Sequence, residues 1–455
     1  MNKQMSLTEG SITKGLILFA VPILLSNLFQ QLYNSVDSMV VGHYVGSAAL
    51  AAVGSTGSLI NLLIGFFLGI ATGTGVLYAM HYGAEDYPGL KKLIDSALFL
   101  SVVIGVVIGG ASIALSRTLL VWMDTPGDVL DLADSYLRVY FAGTVITMVY
   151  NVGAGMLRAE GDSTRPLIYL VIGGVTNLIL DLLLVAALDM GVAGAAIATV
   201  AAQLVSAVLT VIRLTKLDAR YRFRPRHLEL NGLTMWDIIR ISVPCGLQSS
   251  MFNIANLLVQ AKINSFGTAA MAGVTAYTKL DGFIYMPMNA MALAVSTYVG
   301  QNIGAGKFSR IRKGIRVAVV SSLGATLVLE AAVLLFSAPL IDLFTDEPDA
   351  KTYALQMMIY LAPCNWLFIP SDVLGGAIRG AGQAMKVTII SAVCICVFRV
   401  IWLIVTLRID HDIRFVFLCY PISWLLSSAA MGIFYFKSAV IRKTLQSQDT
   451  AVSAG

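Results

Sequence analysis

Charged side chains are scarce in this sequence. Lys, Arg, Asp and Glu make up 13% of its 455 residues, and 57% are hydrophobic. A soluble domain carries about 25% charged residues, so the shortage excludes one and points to a chain that crosses a membrane repeatedly. The net charge of +5 then reports membrane orientation rather than nucleic-acid binding. Cysteine is scarce as well. All five lie in or beside apolar segments, and Cys394 and Cys396 have no neighbours to complete a metal site, so they read as small core residues. His43, His81, His227 and His411 are scattered near span ends or in loops. There is no H-E-x-x-H and no G-x-S-x-G. "NIGAGKFS" resembles a phosphate loop, but Gln301 replaces its first Gly and Phe308 its Ser/Thr. No nucleotide site or cofactor is expected, and the energy for any transport should come from an ion gradient. No cleavable leader is expected, because the apolar run from Leu16 to Val41 far exceeds the roughly 7–15 residues of a leader core.

What is present is a set of long apolar runs. About 20 apolar residues cross a bilayer, and twelve runs qualify: 15–43, 48–80, 92–116, 131–156, 166–188, 191–213, 235–264, 269–302, 311–337, 352–378, 386–408 and 413–437. Counting loops and span ends, 23 of the 31 Lys and Arg fall on the side holding the N-terminus and 5 on the other. Lys262, Lys279 and Arg399 lie within spans. The bias predicts that both termini are cytoplasmic. "RLTKLDARYRFRPRH" is its strongest element and reads as an inside linker, with anionic lipid heads as the sharper alternative.

The chain repeats itself. "GSAALAAV" (46–53) matches "GTAAMAGV" (267–274), and "MLRAEG" (156–161) matches "AIRGAG" (377–382), both displaced by 221 residues. "AVP" (20–22) matches "SVP" (242–244) at 222. Six spans per copy is an even number, so the copies enter from the same side and are related by an axis along the membrane normal. The expectation is an all-α polytopic membrane protein of twelve transmembrane helices in two six-helix lobes. Residues 1–215 form the first lobe, 216–232 a basic linker, 233–445 the second lobe and 446–455 a polar tail.

Departures from the repeat are informative. Asp37 corresponds to Val259 in the other copy, Asn177 to Phe398, Asp181 to Trp402 and Thr199 to Tyr420. The polar set belongs to the first copy only. Counted from span ends at 1.5 Å per residue, Asp37, Asp181 and Thr199 lie at a common depth of roughly 9–12 Å. A carboxylate at a helix centre costs about 2.5–3.5 kcal/mol on insertion scales. Asn and Thr alone often serve only helix packing. Two acids with no basic residue near them are better suited to holding a proton or a small cation such as Na⁺ through hard oxygen donors. Pro22 shares a span with Asp37 and removes a backbone bond there, giving a static kink or a working bend.

The sequence resembles the multidrug and toxic compound extrusion (MATE) transporters along nearly its whole length. The likeness rests on "VP" opening spans one and seven, "VDSMVVGHYVGSAALAAVG", "STYVGQNIGAGK", and "LRAEGDSTRP" with "IRGAGQAMK". The resemblance implies a bacterial inner-membrane antiporter with its cation site in the first lobe, carried by Asp37, Asn177, Asp181 and Thr199, and with Pro22 as a bending proline. Acids used by another branch of the family are replaced here by Phe252 and Phe368. Tyr33, Asn34, Asn151, Gln248, Lys279, Asp281 and Met286 are the expected cavity positions, with Met288 and Met291 as core or as a forgiving wall. Lys279 and Asp281 should face different ways, Glu330 should reach water, and Asp372 and Arg399 are a candidate pair.

The expected activity is export of amphipathic or cationic organic compounds in exchange for Na⁺ or H⁺, by a monomer with no nucleic-acid partner. One rival is a flippase of lipid-linked saccharides or cell-wall precursors, which usually needs fourteen spans and a basic cavity. The other is an intramembrane aspartyl enzyme, but neither acid stands in a G-x-G-D context.

Overall fold

The computed structural model describes residues 6–123 and 125–437, and these are helical with short turns and no strand. The polar tail at 446–455 lies outside the described residues. We number the long helices α1 to α12. In the first copy they are α1 Ile12–Tyr44, α2 Ser47–Gly83, α3 Tyr87–Trp122, α4 (Gly127–Ala142 and Thr144–Ala159), α5 (Thr164–Asp181 continuing as Leu182–Ala187) and α6 Gly191–Thr215. In the second they are α7 Gly232–Asn264, α8 Thr268–Gly304, α9 Phe308–Leu335, α10 (Pro348–Leu361, Ala362–Leu367 and Phe368–Gly380), α11 (Ala384–Ser391, Ala392–Val397 and Phe398–Ile409) and α12 Ile413–Lys437.

Among the described residues nine helices are apolar and long enough to cross a membrane, and the two halves of α4, bent by 49°, make a tenth crossing. The less apolar α7 and α8 have 33 and 37 residues, ample for the ~20 residues that a crossing needs. The architecture is therefore consistent with twelve crossings.

Three helices change their winding within the apolar layer. α5 becomes a π-helix over Leu182–Ala187 and α11 over Ala392–Val397, while α10 tightens to a 3-10 helix over Ala362–Leu367. A π turn closes on the fifth residue rather than the fourth, so each adds one residue to its helix.

The chain forms two compact units. One spans Leu25–Gly246, and the other takes the chain from Leu247 onward together with the stretch up to Leu24. The boundaries thus fall inside α1 and α7, not in the 216–232 linker, and the compact units differ from the sequence copies by the first halves of these helices. Pro22 and Pro244 each lie just before the crossing point. Each helix begins in one unit and ends in the other, and a proline removes a backbone bond close to where it changes company.

Each crossing helix also has a fixed root. Before α1, Leu7 is buried, its N–H donates to Gln301 Oε1 at 3.2 Å, and its carbonyl accepts from Asn302 Nδ2 at 3.3 Å. Lys307 and Arg310 donate to the carbonyls of Thr8, Glu9 and Gly10. The "QNIGAGK" stretch that looks like a phosphate loop instead cradles peptide backbone. Before α7, the linker is held on its own unit. Tyr221 donates to Glu160 at 2.8 Å, Lys91 Nζ donates to the His227 carbonyl at 3.3 Å, and Asp95 accepts the Glu229 N–H at 2.9 Å.

The repeat reappears in the packing. A Cβ on Gly155 would stand 2.7 Å from the Ala71 carbonyl oxygen, and one on Gly376 would stand 2.4 Å from that of Ala292. Both members are displaced by 221 residues (155 to 376, 71 to 292). Small residues let membrane helices approach this closely, and the same pair serves both units.

Candidate functional site

The polar set converges within the unit spanning Leu25–Gly246. The latter half of α1 rests there through Val40 and Val41, packed with Tyr136 of α4, Val185 of α5 and Ala195 of α6. That contact brings Asp37 to α5, where Asn177 and Asp181 share one face four residues apart. Asp181, Asn177 and Thr199 are 0%, 1% and 6% exposed, and Asp37 is half-buried. The π turn of α5 begins at Leu182, immediately after Asp181.

The Asp37 and Asp181 carboxyls are hydrogen-bonded to each other. Each keeps a buried Oδ1 without a partner. With its NH₂ turned toward Asp181, Asn177 donates to Oδ2 at 2.9 Å and its carbonyl accepts the Thr199 N–H at 3.2 Å, which satisfies both ends of the amide. The Thr199 hydroxyl donates to the Ala195 carbonyl at 3.0 Å and is hydrogen-bonded to Tyr33. Two bare carboxylates this close repel, so the pair favours a positive charge between them.

The donors are all hard oxygens, and two carboxyl oxygens are unspent. Among the described residues no group of three or more His, Cys, Asp or Glu could hold a metal ion. Two carboxyls surrounded by neutral oxygen donors can hold a proton or a small cation.

Side chains that the sequence reading did not single out extend the site. Tyr136 and Tyr140 of α4 stack with centroids 6.4 Å apart, and Tyr140 is hydrogen-bonded to Gln203. Gln203 in turn accepts from the Thr147 hydroxyl. The signal was available, since Gln203 stands one turn after Thr199 and the two tyrosines stand one turn apart. Asn151 donates to the Thr147 carbonyl at 2.8 Å, which ties it to the Gln203 end of this network rather than to the carboxyls. Asn34 is exposed and accepts from Gln30 at 3.1 Å.

The second unit holds a separate polar cluster. Asp281 of α8 accepts from Asn365 at 3.0 Å and from Tyr277 at 3.4 Å. Asn365, in the 3-10 stretch of α10, is also hydrogen-bonded to Glu330. Glu330 is 5% exposed, so it is enclosed by helices and does not reach water as its place near the span end suggests. Lys279 is exposed, pointing away from Asp281 as expected for residues two apart. Gln248 joins Arg379 at 3.3 Å to Ser391 at 2.9 Å. Met288 and Met291 are core residues, which leaves only Met286 half-exposed.

Arg399 does not pair with Asp372. Its Nε donates to Ser423 at 3.0 Å, its NH1 to Asn256 at 3.1 Å, and its guanidinium lies 4.3 Å from the Tyr420 ring centroid.

Two copies of a multi-helix unit, with a carboxyl pair buried in one of them, are the build of a membrane transporter. The MatE family profile matches residues 22–183 and again 244–405, so the chain belongs to the MATE transporters. Its relatives include the probable multidrug resistance proteins YpnP and YoeA of Bacillus subtilis. They are 29% and 27% identical to it, over 87% and 84% of this chain and 89% and 84% of theirs. A crystal structure of a MATE protein in the bent conformation superposes with a TM-score of 0.90 at 24% identity, covering 98% of this chain and 99% of that one. The chain is thus a multi-pass plasma-membrane protein.

The two family matches begin at 22 and 244 and end at 183 and 405, a displacement of 222 at both ends. The "MLRAEG" and "AIRGAG" motifs between them are displaced by 221. The π turn of α11 accounts for the change, because it inserts one residue after those motifs. Past it, Asn177 corresponds to Arg399 and Asp181 to Leu403, in place of the Phe398 and Trp402 expected from a constant 221. The π turn of α5 then restores 221, so Thr199 still corresponds to Tyr420.

Proposed function

We infer that this chain is a multidrug antiporter that exports amphipathic or cationic organic compounds in exchange for Na⁺ or H⁺ by alternating access. The observation that carries the reading is the hydrogen-bonded Asp37–Asp181 pair with two unspent buried oxygens. Its two members sit on different helices, and one of these, α1, passes between the two compact units. Neutralised by a proton or by Na⁺, the pair closes α1 onto α5 and α6. With both carboxylates bare, repulsion opens that contact and admits water. Drug and ion need not touch the same atoms, since each only has to bind one state better than the other. In this reading both termini lie in the cytoplasm, which the charge bias supports, and the working unit is a monomer with no bound cofactor. The deciding experiment is drug transport by purified protein in liposomes, with Na⁺ and pH gradients imposed separately. Efflux that follows neither gradient would overturn the reading.

A further inference from the structure

Arg399 is 4% exposed in a membrane helix. Among the described residues no carboxylate pairs with it, and its partners are an amide oxygen, a hydroxyl and an aromatic face. An ion there is expensive, and lobe folding alone gives no reason for it: the first unit fills the corresponding position with neutral Asn177.

Register makes the arginine intelligible. In the first unit, α1 is joined to α5 and α6 by Asp37, Asp181, Asn177 and Thr199. The counterparts are Val259, Leu403, Arg399 and Tyr420. Both acids have become buried aliphatics, Val259 at 0% and Leu403 at 3% exposed. The amide has become a guanidinium, and the threonine the ring beneath it. Asn256, which Arg399 grips, stands three residues before Val259 on the latter half of α7. It corresponds to Asn34 at the same 222-residue displacement that relates Asp37 to Val259. The α7–α11–α12 junction is thus built around a positive charge, as its counterpart can be when a cation occupies it. Here, however, the charge is covalently attached.

We propose that Arg399 is a non-exchangeable stand-in for the coupling ion. It holds the latter half of α7 permanently against α11 and α12, so that ion occupancy moves only the latter half of α1. The chemistry suits permanence. An arginine carries its positive charge as part of the side chain rather than borrowing it from solution. Its planar fork fixes Asn256 and Ser423 together, and the Tyr420 face supplies a cation–π attraction that strengthens when desolvated. Two copies of one fold then differ in the one respect that a switch requires: one junction can lose its cation and the other cannot. Arg399 is a positioning residue in this scheme and touches neither the ion nor the drug.

The proposal rests on the coupling role of Asp37 and Asp181, and the test separates the two ideas. Spin labels at Leu258 and Ile401, both exposed, report α7 against α11 inside the second unit. Labels at Leu32 and Ile179, also exposed, report α1 against α5 inside the first. Distances are measured by pulsed electron paramagnetic resonance in lipid nanodiscs, with and without Na⁺ and at low and high pH. The 258–401 distance should stay single and unchanged throughout, while the 32–179 distance shifts. Arg399→Gln should give the 258–401 pair a second population and slow gradient-driven efflux about tenfold, with equilibrium ion binding by the first unit retained. Arg399→Lys, which keeps the charge and loses the fork, should fall between the two. A 258–401 distance that moves with the ion in the unsubstituted protein overturns the proposal, whether or not any variant folds. So does Arg399→Gln with an unchanged single distance. If instead the 32–179 distance ignores both ions while Arg399→Gln still splits the 258–401 distance, the coupling site has been misplaced and the tether stands.

Discussion

Asn177 and Arg399 hold the same position in the two copies, one turn before Asp181 and one turn before Leu403, and only Asn177 faces a carboxylate. Asn177 donates to Asp181, so its N–H bonds favour whichever state leaves negative charge there. Arg399 brings its own positive charge and needs no partner from solution. In the proposed scheme this pair is what separates a responsive half from a static one.

Coupling should disappear when either acid is neutralised. Asp37→Asn and Asp181→Asn are each expected to abolish gradient-driven efflux in liposomes while the protein still inserts and runs as a single species. Asp372→Asn, in the other unit, should be much milder. Wild-type pumping by the Asp37→Asn, Asp181→Asn double variant would place the coupling site elsewhere.

Asn177→Leu tests the amide. It leaves Asp181 Oδ2 without its donor, and an unsatisfied buried acceptor costs about 1–3 kcal/mol. The loss weighs most on the charged state, so the pair should bind its proton more tightly than in the unsubstituted protein. As the pH is lowered, efflux should therefore fall away at a higher pH than in the unsubstituted protein, because a tighter proton makes its release limiting sooner. A shift toward lower pH would contradict the 2.9 Å donation.

Pro22 lies where α1 leaves one compact unit for the other. Pro22→Ala restores a backbone bond at that point and should slow turnover while equilibrium ion binding survives. Unchanged efflux would mark the proline as a static kink, and lost ion binding would show that it only shapes the site.

Close helix approach gives a stability prediction that is independent of transport. Gly376→Ala places a methyl group 2.4 Å from the Ala292 carbonyl oxygen, whereas nothing lies within 4 Å of a methyl at Gly282. Thermal unfolding in detergent should show Gly376→Ala destabilised by about 1–3 kcal/mol and Gly282→Ala much less affected. Equal effects would contradict the packing.

Orientation is read by labelling. A cysteine at Asp218 should require permeabilised cells before it reacts, and one at Asp346 should not. Reaction of Asp218→Cys from outside intact cells would invert the topology.

The sequence alone determined whatever depends on periodic burial and on local chemistry. Twelve apolar runs, a two-copy repeat, and two acids, Asp37 and Asp181, whose repeat positions carry none are all legible, because a bilayer imposes one length and one polarity on every crossing. Asp37, Asn177, Asp181 and Thr199 could be matched by counting depth, since helical rise is constant. Only the tertiary structure decided what depends on winding and on which unit a helix joins. A π turn leaves no mark in composition, so the slip that aligns Asn177 with Arg399 cannot be seen from spacing alone. Apolar side chains do not specify their partners, so the first halves of α1 and α7 look like parts of their own copies until packing assigns them to the other unit. Glu330 looked close to water for the same reason: sequence gives its depth along α9, but only packing against Asn365 says which way it faces.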